Sequence, residues 1–152
     1  MNLQLSITRD SEKQTALLTL LRSPSYVQRR SILIFATQRR TTDLLAAVLN
    51  QNGFKASSYH AGKTDDHRAK IQADFIANRT RVLCCTIAFS MGIDKSDIES
   101  VIHYDIPRSL ENYVQEIGRA GRDGKLARCH MFLRDEDFYQ LRRITLSDLL
   151  DN

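Results

Sequence analysis

A chain of 152 residues, 42% hydrophobic and 26% charged, has the size and balance of one ordinary globular domain, able to bury roughly two-thirds of the surface its unfolded form exposes. Its net charge of +4 is compatible with a phosphate-bearing partner without demanding one; the apolar runs are far too short to span a bilayer, and MNLQLSITRD has no basic-then-apolar secretory pattern. Cys84, Cys85 and Cys129 form no CxxC and no zinc-ligand spacing, so they read as reduced core thiols of a nuclear or cytoplasmic protein.

Along the chain, Leu3 to Ile7 alternates apolar and polar residues with the period of a strand, and Ser11 is placed to cap a helix carrying Ala16, Leu17, Leu20 and Leu21 on one face. SPSYVQRR (23–30) reads as a Pro/Ser-rich linker, and SILIFA (31–36) as a strand apolar on both faces, the pattern of a buried parallel sheet. A helix follows over TTDLLAAVLNQ (41–51), with Leu44, Leu45, Val48 and Leu49 at helical spacing and Gly53 past its end. FKASSYHAG (54–62) holds a strand, and Thr64 caps DDHRAKIQADFIAN (65–78), whose Asp65 and Asp66 favour the positive end of the helix dipole. RVLCCT (81–86), SVIHYD (100–105) and ARCHMFL (127–133) are further strands. Ser109 caps a helix running to Ile117, and Asp135 opens a final one to about Leu146.

Strands alternating with helices of this length predict a single α/β domain over residues 1–152: three layers, with a mostly parallel central sheet and helices on both faces. Ligands of such sheets sit outside the carboxyl ends of the strands. TQRR (37–40), HAGKTDD (60–66), IAFSMGIDKSD (87–97), IPRS (106–109) and GRAGRDG (118–124) are therefore expected along one functional edge. In the last of these, Arg119 and Arg122 stand among three glycines. A guanidinium is always charged and matches phosphate oxygens with two parallel hydrogen bonds, and glycine lets a backbone turn tightly toward a ligand. Such a loop either stabilises a transferring phosphoryl group or is a flexible basic surface; physics alone divides the two evenly. His60 reads as a packed or hydrogen-bonded histidine, since no nucleophile surrounds it.

QEIGRAGRDG (115–124) resembles motif VI of superfamily-two helicases in the form used by the RecQ DNA helicases. TIAFSMGIDKSDIESVIHYDIPRSLENYVQ (86–115) is similar to the motif V region of that family, SYHAGKTDDHRAKIQADF (58–75) to its YHAG segment, and SILIFATQRR (31–40) to its motif IV. RCHMFLRDEDFYQLRRI is similar to the branch associated with Rothmund–Thomson syndrome. The resemblance is colinear from about Asn2 to Leu146 and implies the second RecA-like lobe of a RecQ-like DNA helicase that tracks one strand 3′ to 5′ in repair or recombination.

By that resemblance Arg122 is the arginine finger for ATP held by a first lobe, Arg119 assists at the phosphate, and Gln115 links nucleotide state to lobe closure. Asp94 lies where motif V approaches the ribose. Thr37, Arg39, Gly62, Lys63 and Thr86 fall where the family contacts the nucleic-acid backbone, which would be single-stranded DNA or a duplex junction. The usual Cys-Asn-Ser or Cys-Asn-Thr of motif IV reads Ala36-Thr37-Gln38 here, so Thr37 is left to supply that polar contact. Plainer roles exist beside these: a strand-ending bond for Thr86, an ordinary turn at Gly62, solvated helix starts for Arg39 and Arg40, and packing for Phe89 and Tyr113. The chain contains no GxxxxGK[ST] and no DExH box. The expectation is half a motor, silent alone, with ATP and Mg2+ bound mainly by the first lobe and no metal site or membrane contact of its own. Lobe two of an RNA helicase and a non-catalytic nucleic-acid-binding module are the alternatives.

Overall fold

The computed structural model describes residues 2–86 and 95–150, with side chains through residue 143. Six strands, β1 (Leu3–Arg9), β2 (Ile32–Phe35), β3 (Ala56–Tyr59), β4 (Val82–Cys85), β5 (Ser100–His103) and β6 (Ala127–Leu133), form one sheet in the order β1-β6-β5-β2-β4-β3. Every pairing is parallel. The helices are α1 (Lys13–Arg22), α2 (Arg39–Gln51), α3 (Asp65–Ile76), α4 (Leu110–Ile117) and α5 (Asp137–Leu150). This is the three-layer α/β domain expected from the alternation.

Alternate residues of each central strand point to opposite faces, and the core divides accordingly. Ile32 and Ile34, Val82 and Cys84, Ile102 and Phe132 meet Leu17 and Leu21 of α1 and Leu45 and Leu49 of α2. Leu33 and Phe35, Leu83 and Cys85, Val101 and Cys129 meet Ile71 and Phe75 of α3 and Ile117 of α4. The adjacent cysteines thus serve different layers, and all three are free and buried. Burial pushes the Cys129 thiol up to about 11 and the Cys84 thiol higher still. Each fully buried Leu, Ile or Phe contributes about 1.5–3 kcal/mol, which makes the two face clusters the main source of stability.

Thr64 caps α3 as expected, accepting the His67 N–H at 3.2 Å, and Ser109 caps α4 by accepting from Asn112 at 3.0 Å. At the other end of α3, Asn78 turns with φ 61, and the buried Lys95 donates to the Ile76 carbonyl at 3.3 Å and to Asp97 at 2.6 Å. Several local expectations are corrected. Glu12, not Ser11, precedes α1 and no side chain caps it. Helix α2 starts two residues early, at Arg39, and Leu44 is exposed because the buried stripe runs through Thr42, Leu45, Ala46 and Leu49. α5 opens at Asp137, whose carboxylate accepts the Arg134 N–H at 2.8 Å. The linker over 23–30 is a docked turn: Tyr26 is buried, and the Arg81 guanidinium donates to the carbonyls of Arg29 at 2.7 Å and Tyr26 at 3.0 Å.

Candidate functional site

Because all strands are parallel, the loops after β2, β3 and β5 share one edge with Thr86, the residue after β4. The loop after β2 is fastened to the loop after β5 through Asp105, which accepts the Thr37 N–H at 2.9 Å and lies 3.3 Å from the Thr37 hydroxyl. The other oxygen of that carboxylate is 3.2 Å from Nζ of Lys13, a lysine whose side chain is only 5% exposed. A charge so buried is tolerated because it is paired. Thr37 therefore occupies its predicted place with its donors turned toward its own lobe.

Beside it, the loop after β3 is organised by a histidine. Nδ1 of His60 accepts the Gly62 N–H at 3.1 Å, so the ring proton sits on Nε2, which donates to Asp43 at 3.1 Å. Asp43, on α2, also accepts from the Ser58 hydroxyl at 2.5 Å and lies 3.7 Å from Nζ of Lys63. Burial acts to raise the Asp43 carboxyl, but Ser58, His60 and Lys63 outweigh it and hold it below its ordinary value. A β-carbon at Gly62 would stand 3.1 Å from the His60 ring and 3.3 Å from the Arg39 guanidinium. The close approach at Gly62 is thus made inside the protein, and it gathers Arg39, Gly62 and Lys63 at one point. Arg39 does so from the first turn of α2, not from a loop. Thr86 ends β4 buried, its N–H directed to the Tyr59 carbonyl at 3.4 Å.

GRAGRDG starts at this edge and then leaves it: Glu116, just ahead of it, has Oε1 3.1 Å from Nε2 of His103 at the end of β5. The loop must carry the chain to the amino end before parallel β6 can begin, so its second half lies there. Gly121 N–H donates to the Ile98 carbonyl just ahead of β5 at 3.1 Å. The Asn2 amide donates to the Gly121 carbonyl and, at 3.0 Å, to that of Lys125. Gly121 is obligatory: its φ is +71, and a β-carbon would lie 2.5 Å from Asn2 Nδ2. Arg122 is exposed at the tip, its Nε 3.3 Å from the Gly118 carbonyl, while Arg119 is half-buried. Burial and the neighbouring Arg122 both lower the Arg119 pKa. Gln115 is exposed on α4. Asp94 and Phe89 lie outside the described residues. Tyr113 packs, its ring 5.1 Å from that of His103.

The sequence reading missed Lys13, Asp43, Asp105, His103 and Glu116. Only the last two carried a signal, polar residues at positions of apolar periodicity in β5 and α4. Among the described residues no group of three or more His, Cys, Asp or Glu could hold a metal ion, and no helix is long and apolar enough to cross a membrane.

The parallel sheet, the polar carboxyl edge and the pinned arginine loop define a class that comparison with known proteins confirms: residues 12–124 match the helicase conserved C-terminal domain, and the chain belongs to that family. Its fold is similar to that of a DEAD box protein from Methanococcus jannaschii, with a TM-score of 0.81 and 30% identity over 96% of this chain and 40% of that one. Within the family the chain is of the RecQ type. It is 41% identical over 151 residues to ATP-dependent DNA helicase Q-like 5 of Arabidopsis thaliana, covering 99% of this chain and 17% of that protein. To ATP-dependent DNA helicase Q4 of Homo sapiens it is 39% identical over 166 residues, covering 99% of this chain and 14% of that protein. The chain therefore spans about a sixth of the length of these relatives.

Proposed function

We propose that residues 1–152 form the second motor lobe of an ATP-dependent DNA helicase, working against a first RecA-like lobe that holds most of the nucleotide. Mg2+-ATP bound by that first lobe supplies the phosphoryl group that water receives. The exposed Arg122 guanidinium, on a loop fixed by Asn2 and Ile98, is the observation that carries this reading. Two adjacent arginines suit a polyanion, because a phosphate chain relieves their mutual repulsion. Arg122 meets the γ-phosphate when the lobes close, spreading the charge that develops on its oxygens. Arg119 supports it at the phosphate, Gln115 reports lobe closure, and Asp94 approaches the ribose.

The carboxyl edge supplies part of the track for a single strand, run 3′ to 5′. Lys63 and Arg39 meet backbone phosphates, while Thr37, Thr86 and the Gly62 backbone supply polar contacts that follow the strand without reading its bases. On this reading the lobe alone turns over no ATP.

The experiment is ATP turnover stimulated by single-stranded DNA in the full-length protein carrying this chain, wild type against Arg122→Ala. Loss of turnover with nucleotide binding and circular dichroism unchanged supports the reading; unchanged turnover makes Arg122 a surface charge and ends it.

A further inference from the structure

The amino end of the sheet carries a row of cations that neither the nucleotide nor the strand track employs. Backbone hydrogen bonds set the residues entering each strand side by side. The Arg81 N–H donates to the Lys55 carbonyl at 2.9 Å, and the Ile32 N–H to that of Arg81 at 2.9 Å. The Glu99 N–H donates to the Ser31 carbonyl at 2.8 Å, and the Arg128 N–H to that of Glu99 at 3.1 Å. Lys55, Arg81, Arg30 and Lys125 therefore follow one another ahead of β3, β4, β2 and β6, with Glu99 ahead of β5 between the last two. Neighbouring strands lie about 4.8 Å apart, so the row is about 19 Å long.

Its charge is not matched inside the lobe. Arg30, Lys55 and Lys125 are exposed, and Arg29 and Arg81 are half-buried. None of these five forms an ion pair among the described residues. The two half-buried arginines bond backbone carbonyls instead: Arg81 those of Arg29 and Tyr26, and Arg29 those of Ser25 at 2.9 Å and Glu99 at 3.0 Å. Carbonyls satisfy the N–H groups and leave the positive charge standing. Of the nearby carboxylates, Asp97 is matched by Lys95 at 2.6 Å and Asp74 by Arg79 at 2.8 Å. Glu99 and Asp123 accept the N–H groups of Arg30 at 3.1 Å and Lys125 at 3.0 Å, and the cations outnumber them.

A row of unmatched cations suits a phosphate backbone, and the aromatic residues decide which kind. Single strands are gripped by stacking bases on open rings as well as by charge. The rings here are closed: Phe54 is 8% and Tyr26 3% exposed. Guanidiniums cover them, Arg81 and Arg22 over Phe54 at 5.3 and 6.0 Å, and Arg29 over Tyr26 at 5.9 Å. A duplex keeps its bases paired inside and presents one phosphate charge per about 1.7 Å of its axis, so the row meets several phosphates at once. We propose that the amino end of this lobe is a second nucleic-acid site, which takes the backbone of duplex DNA, whatever its sequence, at the end of the sheet opposite the strand track. It takes DNA as the polymer from the function proposed above and nothing from the role of Arg122.

The test is made in the full-length protein without nucleotide, by fluorescence anisotropy with a short blunt DNA duplex and, separately, with oligothymidine. Arg30→Gln/Lys55→Gln/Lys125→Gln should weaken duplex binding about tenfold or more and lower its salt-dependence slope by about three units. Oligothymidine affinity and single-strand-stimulated turnover should stay within about twofold of wild type, with the melting temperature unchanged. A matched set, Lys70→Gln/Arg142→Gln/Arg143→Gln, removes the same charge from exposed helix positions and should bind duplex as wild type does. Equal loss in the matched set reduces the row to net charge and overturns the site. Unchanged duplex binding in the first set overturns it too, and an equal loss of oligothymidine binding there makes the row part of the single-strand track, which overturns the duplex assignment. Wild-type turnover that single-stranded DNA fails to stimulate ends the motor reading, while the two variant sets still decide the duplex site.

Discussion

Two regions of the domain hold their cations differently. Around the loops after β2 and β3, two lysines are matched by carboxylates of the same lobe: Lys13 by Asp105 at 3.2 Å, Lys63 by Asp43 at 3.7 Å. In the loop after α4 two arginines crowd each other, and Arg122 stands exposed on a loop braced by backbone hydrogen bonds. A phosphate arriving at the first exchanges partners with Asp43, which keeps the contact loose and suits a strand that slides. A phosphate arriving at the second meets concentrated positive charge on a rigid mount, which suits a single chemical event. Backbone-tracking and phosphoryl-transfer chemistry need those opposite properties.

The strongest way to break this contrast is Arg122→Ala, expected to lower DNA-stimulated turnover about a thousandfold with the melting temperature unchanged, read by coupled ATPase assay and calorimetry. Next comes the mount itself. Gly121→Val forces a branched side chain into a positive-φ position against Asn2 and should destabilise the domain by about 1–3 kcal/mol in urea titration. Lys63→Ala addresses the looser end: single-strand affinity should weaken for every sequence alike, and the salt dependence of binding should fall by about one unit of slope, with little change in kcat at saturating DNA.

The smallest effect is electrostatic. Asp43 has a lowered folded-state pKa, so its contribution to stability is complete above the ordinary carboxylate pKa and is lost as pH falls through the folded value. Melts of Asp43→Asn between about pH 3 and about pH 6 should therefore converge on wild type at the acid end and fall below it toward neutrality. Asp43 is half exposed, which keeps the difference slight.

Much of the architecture is legible in the sequence because parallel strands buried on both faces leave continuous apolar runs, as in ILIF and VLCC. Thr64 and Ser109 announce their helices because capping is local chemistry. What depends on distant partners is not legible. Arg81 gives no sign that it will hold the turn at Tyr26, and Leu44 looks as apolar as Leu45 until the sheet selects a face. The carboxyl-edge residues fall where strand endings predict them, since a parallel sheet fixes that edge. The arginine loop does so only at its start, because it must also carry the chain to the amino end before parallel β6 begins.

The brace between Asn2 and Gly121 has a consequence for the order of assembly. β1 pairs with β6, so the first strand made waits for the last before it can dock, and the contact to Gly121 spans 119 positions of chain. Closing so long a loop comes late, after local helix formation has finished. The arginine loop therefore gains its support only once the whole sheet is in register. A partly folded lobe carries the same arginines on a loop that Asn2 does not yet hold in place.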